Sequence, residues 1–105
     1  MDRLYIVVSG ELTDGQKAVQ ACHALRAFVA DHPDIDRRWY EESNTIVLLE
    51  ASGEMAIIGL WEKMRCSGVE CSMFREPDLD DVMTAIAIAP AGHRHLRNLP
   101  LAMHR

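Results

Sequence analysis

The fold turns on one stretch near the amino terminus, Leu4-Tyr5-Ile6-Val7-Val8-Ser9-Gly10-Glu11-Leu12-Thr13-Asp14-Gly15-Gln16. Its first five residues are a short apolar run rich in β-branched side chains, the pattern of a buried strand. Ser9, Gly10 and Glu11 leave that run as a loop. Thr13 then stands where a helix N-cap belongs. Gln16, three residues on, can reach back to it and complete a capping box. Strand, short loop and capped helix in that order open an α/β unit.

Downstream, the first helix carries Ala18, Cys22, Leu25 and Val29 on one apolar stripe with Phe28 beside it. Pro33 stops it, because proline cannot continue a helix. Residues 34–44 are polar apart from Ile35, Trp39 and Tyr40 and read as a connecting loop. Thr45-Ile46-Val47-Leu48-Leu49-Glu50-Ala51 is a second buried strand. Ser52-Gly53-Glu54 opens a second helix through Met55, Ile58, Leu60, Trp61 and Met64, and Gly68 closes it as a left-handed C-terminal cap. Residues 70–74 and 83–90 read as a third and a fourth strand, joined by an acidic segment; a loop and a short frayed helix follow Pro90.

The order β-α-β-α-β-β predicts a layered α/β domain whose sheet is mostly parallel, with right-handed crossovers. The last two strands are joined too briefly for a helical crossover, so one of them runs antiparallel. Ligands of such sheets bind beyond the carboxyl ends of the strands. Residues 9–15 and the start of the first helix fall there.

Length and composition bound the rest. A chain of 105 residues allows a single domain, here residues 1–105. No apolar run approaches the roughly 20 residues of a membrane helix, so no membrane partner is expected. Met1-Asp2-Arg3-Leu4 lacks the layout of a signal peptide. Cys22, Cys66 and Cys71 have no paired spacing, which predicts a reducing compartment and a cytoplasmic location. The net charge of −5 is the opposite of a nonspecific nucleic-acid footprint. Residues 91–105, however, form a basic C-terminal segment with Arg94, Arg97 and Arg105, an end that permits an anionic partner.

Candidate chemistry concentrates on the first helix. Gln16, Gln20 and His23 are spaced i, i+4, i+7 and share a face. The helix N-terminus beside them suits a phosphate or a developing oxyanion, and a histidine there can act as acid, base or donor. A solvated helix face carrying an ordinary histidine is the competing reading. His93, His95 and His104 lack the spacing of a zinc site, so no metal and no cofactor are expected. Asp78, Asp80 and Asp81 read as a solvated acidic turn rather than a cation site. The cysteines read as small apolar fillers, Trp61 and Met64 as core, and Trp39 and Tyr40 as packing in a loop.

Gly15-Gln16-Lys17-Ala18-Val19-Gln20-Ala21-Cys22-His23-Ala24 resembles the GKxAAQxxHA signature of the type 2 peptidyl-tRNA hydrolases. Met83-Thr84-Ala85-Ile86-Ala87-Ile88-Ala89-Pro90 resembles that family's closing strand, QTVLGIGP. The resemblance covers residues 4–90. It implies a compact three-layer α/β/α sandwich around a four-stranded mixed sheet, often dimeric, which needs no metal and cleaves the ester joining a peptide to tRNA. Gly15, Gln20, His23, Ala24 and Thr84 match the family pattern directly. The family's lysine position is Gln16 here, with Lys17 one place later and about 100° further round the helix. Glu76 is the nearest match to the family aspartate, with Asp78 the other candidate, and the family's loop threonine has no counterpart.

On this resemblance His23, oriented by Glu76 or Asp78, activates water. Thr84 and Gln20 supply hydrogen bonds, and Lys17 and the helix N-terminus hold phosphate or oxyanion. Gly15, Gln16, Gln20 and Arg75 form the substrate-binding set; the partner is peptidyl-tRNA or a related aminoacyl-tRNA, with a homodimer expected. The alternatives are a non-catalytic tRNA- or protein-binding homologue that kept the fold, and a homodimeric module without nucleic acid.

Overall fold

The computed structural model describes residues 2–103, so His104 and Arg105 of the basic segment lie outside the described residues. Four strands, β1 (Arg3–Ser9), β2 (Thr45–Ala51), β3 (Cys71–Glu76) and β4 (Val82–Ile88), form one mixed sheet in the order β2-β1-β4-β3. Helices α1 (Asp14–Asp31) and α2 (Pro33–Glu42) join β1 to β2, and α3 (Glu54–Cys66) joins β2 to β3.

The expectation of a mostly parallel sheet is corrected. β1 and β2 pair in parallel, whereas β4 lies antiparallel between β1 and β3. The cause is the short β3–β4 connection, which returns β4 directly beside β3 and slots it between two strands that run the other way.

Alternation along the strands gives each face its layer. Ser72 and Phe74 of β3 turn to α1, where the Ser72 hydroxyl donates to Asp31 at 2.8 Å and Phe74 stacks on His23. Arg75 turns to the opposite face, toward Glu54 at the start of α3. The sheet is therefore a middle layer between α1 and α3, and Leu4, Val7, Val8, Phe28, Ile57, Met64, Ile86 and Ile88 fill the interior.

The capping box at Thr13 forms as read, with the Gln16 N–H donating to Thr13 Oγ1 at 3.2 Å and the Thr13 N–H to Gln16 Oε1 at 2.9 Å. Gly68 closes α3 in the left-handed region at φ +72°. The Val69 N–H reaches back to the Met64 carbonyl at 2.9 Å.

Three expectations change. Residues 34–44 contain a helix rather than a loop: Pro33 stops α1 but occupies the first turn of α2, where its fixed φ is already helical. Asp34 and Asp36 suit that positive end, and Ile35 and Trp39, four apart, turn inward. Trp39 packs, with its indole N–H on the Thr45 carbonyl at 2.9 Å, while Tyr40 stays exposed. Second, α1 buries Lys17, Gln20, Ala21, Ala24 and Phe28, a face one residue round from the expected stripe, and leaves Cys22 exposed. Third, the expected short helix after β4 is present as the 3-10 helix Pro90–His95, but residues 100–102 then leave the expected loop and run along the outer edge of β2. There the Glu50 N–H donates to the Pro100 carbonyl and the Ala102 N–H to the Leu48 carbonyl, each at 3.0 Å.

Among the described residues no helix is long and apolar enough to cross a membrane. Cys66 is also exposed, against the expectation of a filler, and only Cys71 is buried. Burial pushes the Cys71 thiol up to about 11, so it stays protonated and unreactive near neutral pH. A disulfide reagent is expected to label Cys22 and Cys66 at once in the folded chain and Cys71 only on unfolding. Immediate labelling of all three would contradict this burial.

Candidate active site

The loop leaving β1 packs onto the end of β2, with the Gly10 N–H on the Ala51 carbonyl at 2.7 Å. It then delivers the chain into the first turn of α1, beyond the carboxyl ends of β1 and β2. Gln16, at the family's lysine position, is folded back on its own cap. Gly15 is exposed and faces open space.

Beneath α1 one row of residues crosses the whole sheet in register: Glu50 beside Val8, Val8 beside Ala85, and Ala85 beside Phe74. Two polar clusters of α1 sit over this row. At the β2 end, Lys17 Nζ lies 2.8 Å from Glu50 Oε1 and 3.8 Å from Asp14 Oδ1. At the β3 end, the Gln20 amide donates to Glu76 Oε1 at 2.7 Å and its oxygen accepts from the Thr84 hydroxyl at 2.5 Å. These two bonds fix the amide's orientation, since the flipped group would set oxygen against carboxylate.

Thr84 reaches Gln20 through a break in strand register. The pairing steps from Phe74–Ala85 to Arg75–Met83 and passes over Thr84. Strict alternation would send Thr84 to the face opposite Ala85. The bulge instead turns both toward α1, as bulges re-aim side chains beside functional sites.

Glu76 ends β3, which runs two residues further than the sequence suggested. Its second oxygen accepts the Asp78 N–H at 3.4 Å and so caps the 3-10 turn Pro77–Leu79. The Gln20 hydrogen bond, foremost, holds the Glu76 carboxyl below its ordinary value of 4.5; the Asp78 N–H and the charge of His23 act in the same direction, against partial desolvation.

His23 is exposed, three residues along α1 from Gln20, and its ring lies flat on Phe74 with centroids 4.2 Å apart and planes within 9°. The stack fixes the ring plane and leaves its edge to solvent.

Of the residues singled out from sequence, Gln20, Glu76 and Thr84 are hydrogen-bonded to one another and His23 stands beside them. Lys17 is held at the other end of the row. Asp78 is exposed and contributes its backbone N–H. Arg75 is not brought to this face: its guanidinium lies 3.9 Å from Glu54 and donates to the Asp81 carbonyl at 3.2 Å. Sequence reasoning missed two members, Phe74 and Glu50. The second carried a signal, as the one charge in an otherwise apolar strand. Among the described residues no group of three or more His, Cys, Asp or Glu is arranged to hold a metal ion.

No curated protein matches the chain. The family model for peptidyl-tRNA hydrolase PTH2 matches residues 3–100, which span all four strands and all three helices. With the capped first helix, its Gln20 and His23, and the threonine of the closing strand in place, the chain belongs to the peptidyl-tRNA hydrolase PTH2 family.

Proposed function

We propose that the chain hydrolyses the ester between a peptidyl, or N-blocked aminoacyl, group and tRNA, with water as nucleophile and the cytoplasm as its setting. The observation that carries this reading is an exposed imidazole beside a carboxylate held in place from below by a buried amide and hydroxyl.

In this mechanism His23 accepts a proton from water as the water oxygen attacks the acyl carbonyl carbon. The bond from that carbon to the ribose oxygen then breaks, and the imidazolium returns its proton to the leaving oxygen. Glu76, kept anionic by the Gln20 amide, stabilises the transient imidazolium. The first turn of α1 around Gly15 faces the developing oxyanion or the terminal phosphate, with Lys17 behind it. Gln20 and Thr84 are 3% and 0% exposed, so they act through Glu76 rather than on the substrate.

A non-catalytic binding role is the alternative, and one arrangement favours it: the Gln16 side chain is engaged by its cap and the Lys17 ammonium by Glu50, so both are already partnered. Incubation with N-acylated aminoacyl-tRNA, with free tRNA resolved on an acid gel, separates the readings. Release of tRNA supports hydrolysis, binding without release supports the alternative, and the absence of both binding and release removes hydrolysis and tRNA binding together.

A further inference from the structure

Lys17 is placed against electrostatic intuition. It lies in the first turn of α1, where the helix presents its positive end, and its side chain is only 9% exposed. A cation there requires counter-charge, and Glu50 supplies the nearer part of it at 2.8 Å, with Asp14 at 3.8 Å. Glu50 is itself held from several sides. Its backbone pairs with Val8 in β1 and donates to the Pro100 carbonyl on the outer edge. Gly10 closes over the carboxylate so tightly that an added Cβ would stand 3.1 Å from Glu50 Oε2 and 3.0 Å from the Ala51 carbonyl oxygen. Strand and edge segment thus hold the Glu50 backbone, the Gly10 loop closes over its carboxylate, and that carboxylate meets the Lys17 ammonium.

We propose that Glu50 is a positioning residue that holds the Lys17 ammonium against the β1–β2 edge and sets how much of its charge the site offers to a tRNA phosphate. The inference rests on the reading that the acceptor end of tRNA meets the first turn of α1. Two strand spacings, about 10 Å, separate Glu50 from Ala85, and the β3 end of the row, where Gln20 meets Glu76, lies one spacing beyond. Lys17 therefore flanks the reacting centre. An unpaired lysine at that place would grip phosphate equally in substrate and in released tRNA, which tightens binding without lowering the barrier. Pairing with Glu50 weakens that uniform grip and keeps the ammonium in one position.

The test compares wild type, Glu50→Gln, Lys17→Met and the double variant. Two quantities are read: binding of deacylated tRNA as salt is raised, and kcat and KM on N-acylated aminoacyl-tRNA. Glutamine keeps an acceptor oxygen for Lys17 Nζ, and Glu50→Asp, which keeps the charge on a shorter stem, provides a second variant with an intermediate response. Glu50→Gln is expected to bind deacylated tRNA about threefold to tenfold more tightly at low salt and to steepen the salt dependence by about 0.7 in log–log slope, the signature of one added contact to single-stranded phosphate. It is also expected to lower KM and kcat together, and all of these effects should vanish in the Lys17→Met background.

An unchanged slope, or the same change without Lys17, overturns the role of Glu50. Wild-type protein that binds no tRNA removes the hydrolase reading itself. Wild-type protein that binds and cleaves, but is indifferent to Glu50→Gln, removes this inference alone.

Discussion

Replacing Gln20 with leucine is expected to cost the chain both stability and turnover. The leucine fits the space beneath α1 but leaves the Thr84 hydroxyl, 0% exposed, without its acceptor. A buried polar group stripped of its partner costs about 1–3 kcal/mol. In a domain of this size that corresponds to a fall of about 5–15 °C in melting temperature. Adding Thr84→Val should restore most of the stability, because removing both polar groups leaves nothing unsatisfied. Turnover should not return, since Glu76 has lost the amide that orients it.

The pH dependence of that stability loss has a definite sign. Glu76 titrates below its ordinary value in the folded chain, so its contribution is present above the ordinary value of 4.5 and fades as pH falls through the depressed one. The gap between wild type and Gln20→Leu should therefore be widest near neutrality and narrow in acid. Thermal melts across pH check this, and a gap that widens in acid would contradict the assignment.

Replacing His23 with alanine is expected to do the reverse: little to the fold and most of the damage to the chemistry. The imidazole is exposed and its ring stacks on Phe74. Such a stack contributes about 0.5–1.5 kcal/mol, so the variant should stay folded. Loss of a general acid–base typically lowers the rate by about 10²–10⁴-fold. Phe74→Leu, which keeps the histidine but removes its platform, should fall between wild type and His23→Ala in turnover, because the ring edge is then no longer held in one plane.

The elements that advertise themselves locally were legible in the sequence. Thr13 and Gln16 satisfy each other's backbone within one turn, and Gly68 marks the end of α3 by its own conformational freedom. β2 is an apolar run interrupted by Glu50, with the observed bounds, Thr45–Ala51. α2 escaped notice because its inward residues are only Ile35 and Trp39, and because Pro33 serves two helices at once. The buried face of α1 was misjudged because hydrophobicity ranks Cys22 and Val29 inside and Lys17 and Gln20 outside. What places those two polar groups inward is a carboxylate on β2 and a carboxylate and hydroxyl on β3 and β4, far along the chain. Thr84 shows the same limit. Its facing depends on a skipped register position, and strand alternation read from sequence alone would assign it to the wrong side.

The most direct test of the site is single-turnover cleavage of N-acylated aminoacyl-tRNA by wild-type and His23→Ala protein, each shown to be folded by circular dichroism and used in excess over substrate. Wild type is expected to release free tRNA, and the variant to leave the ester intact at matched concentration. Release by folded His23→Ala at the wild-type rate would contradict a site built on that imidazole.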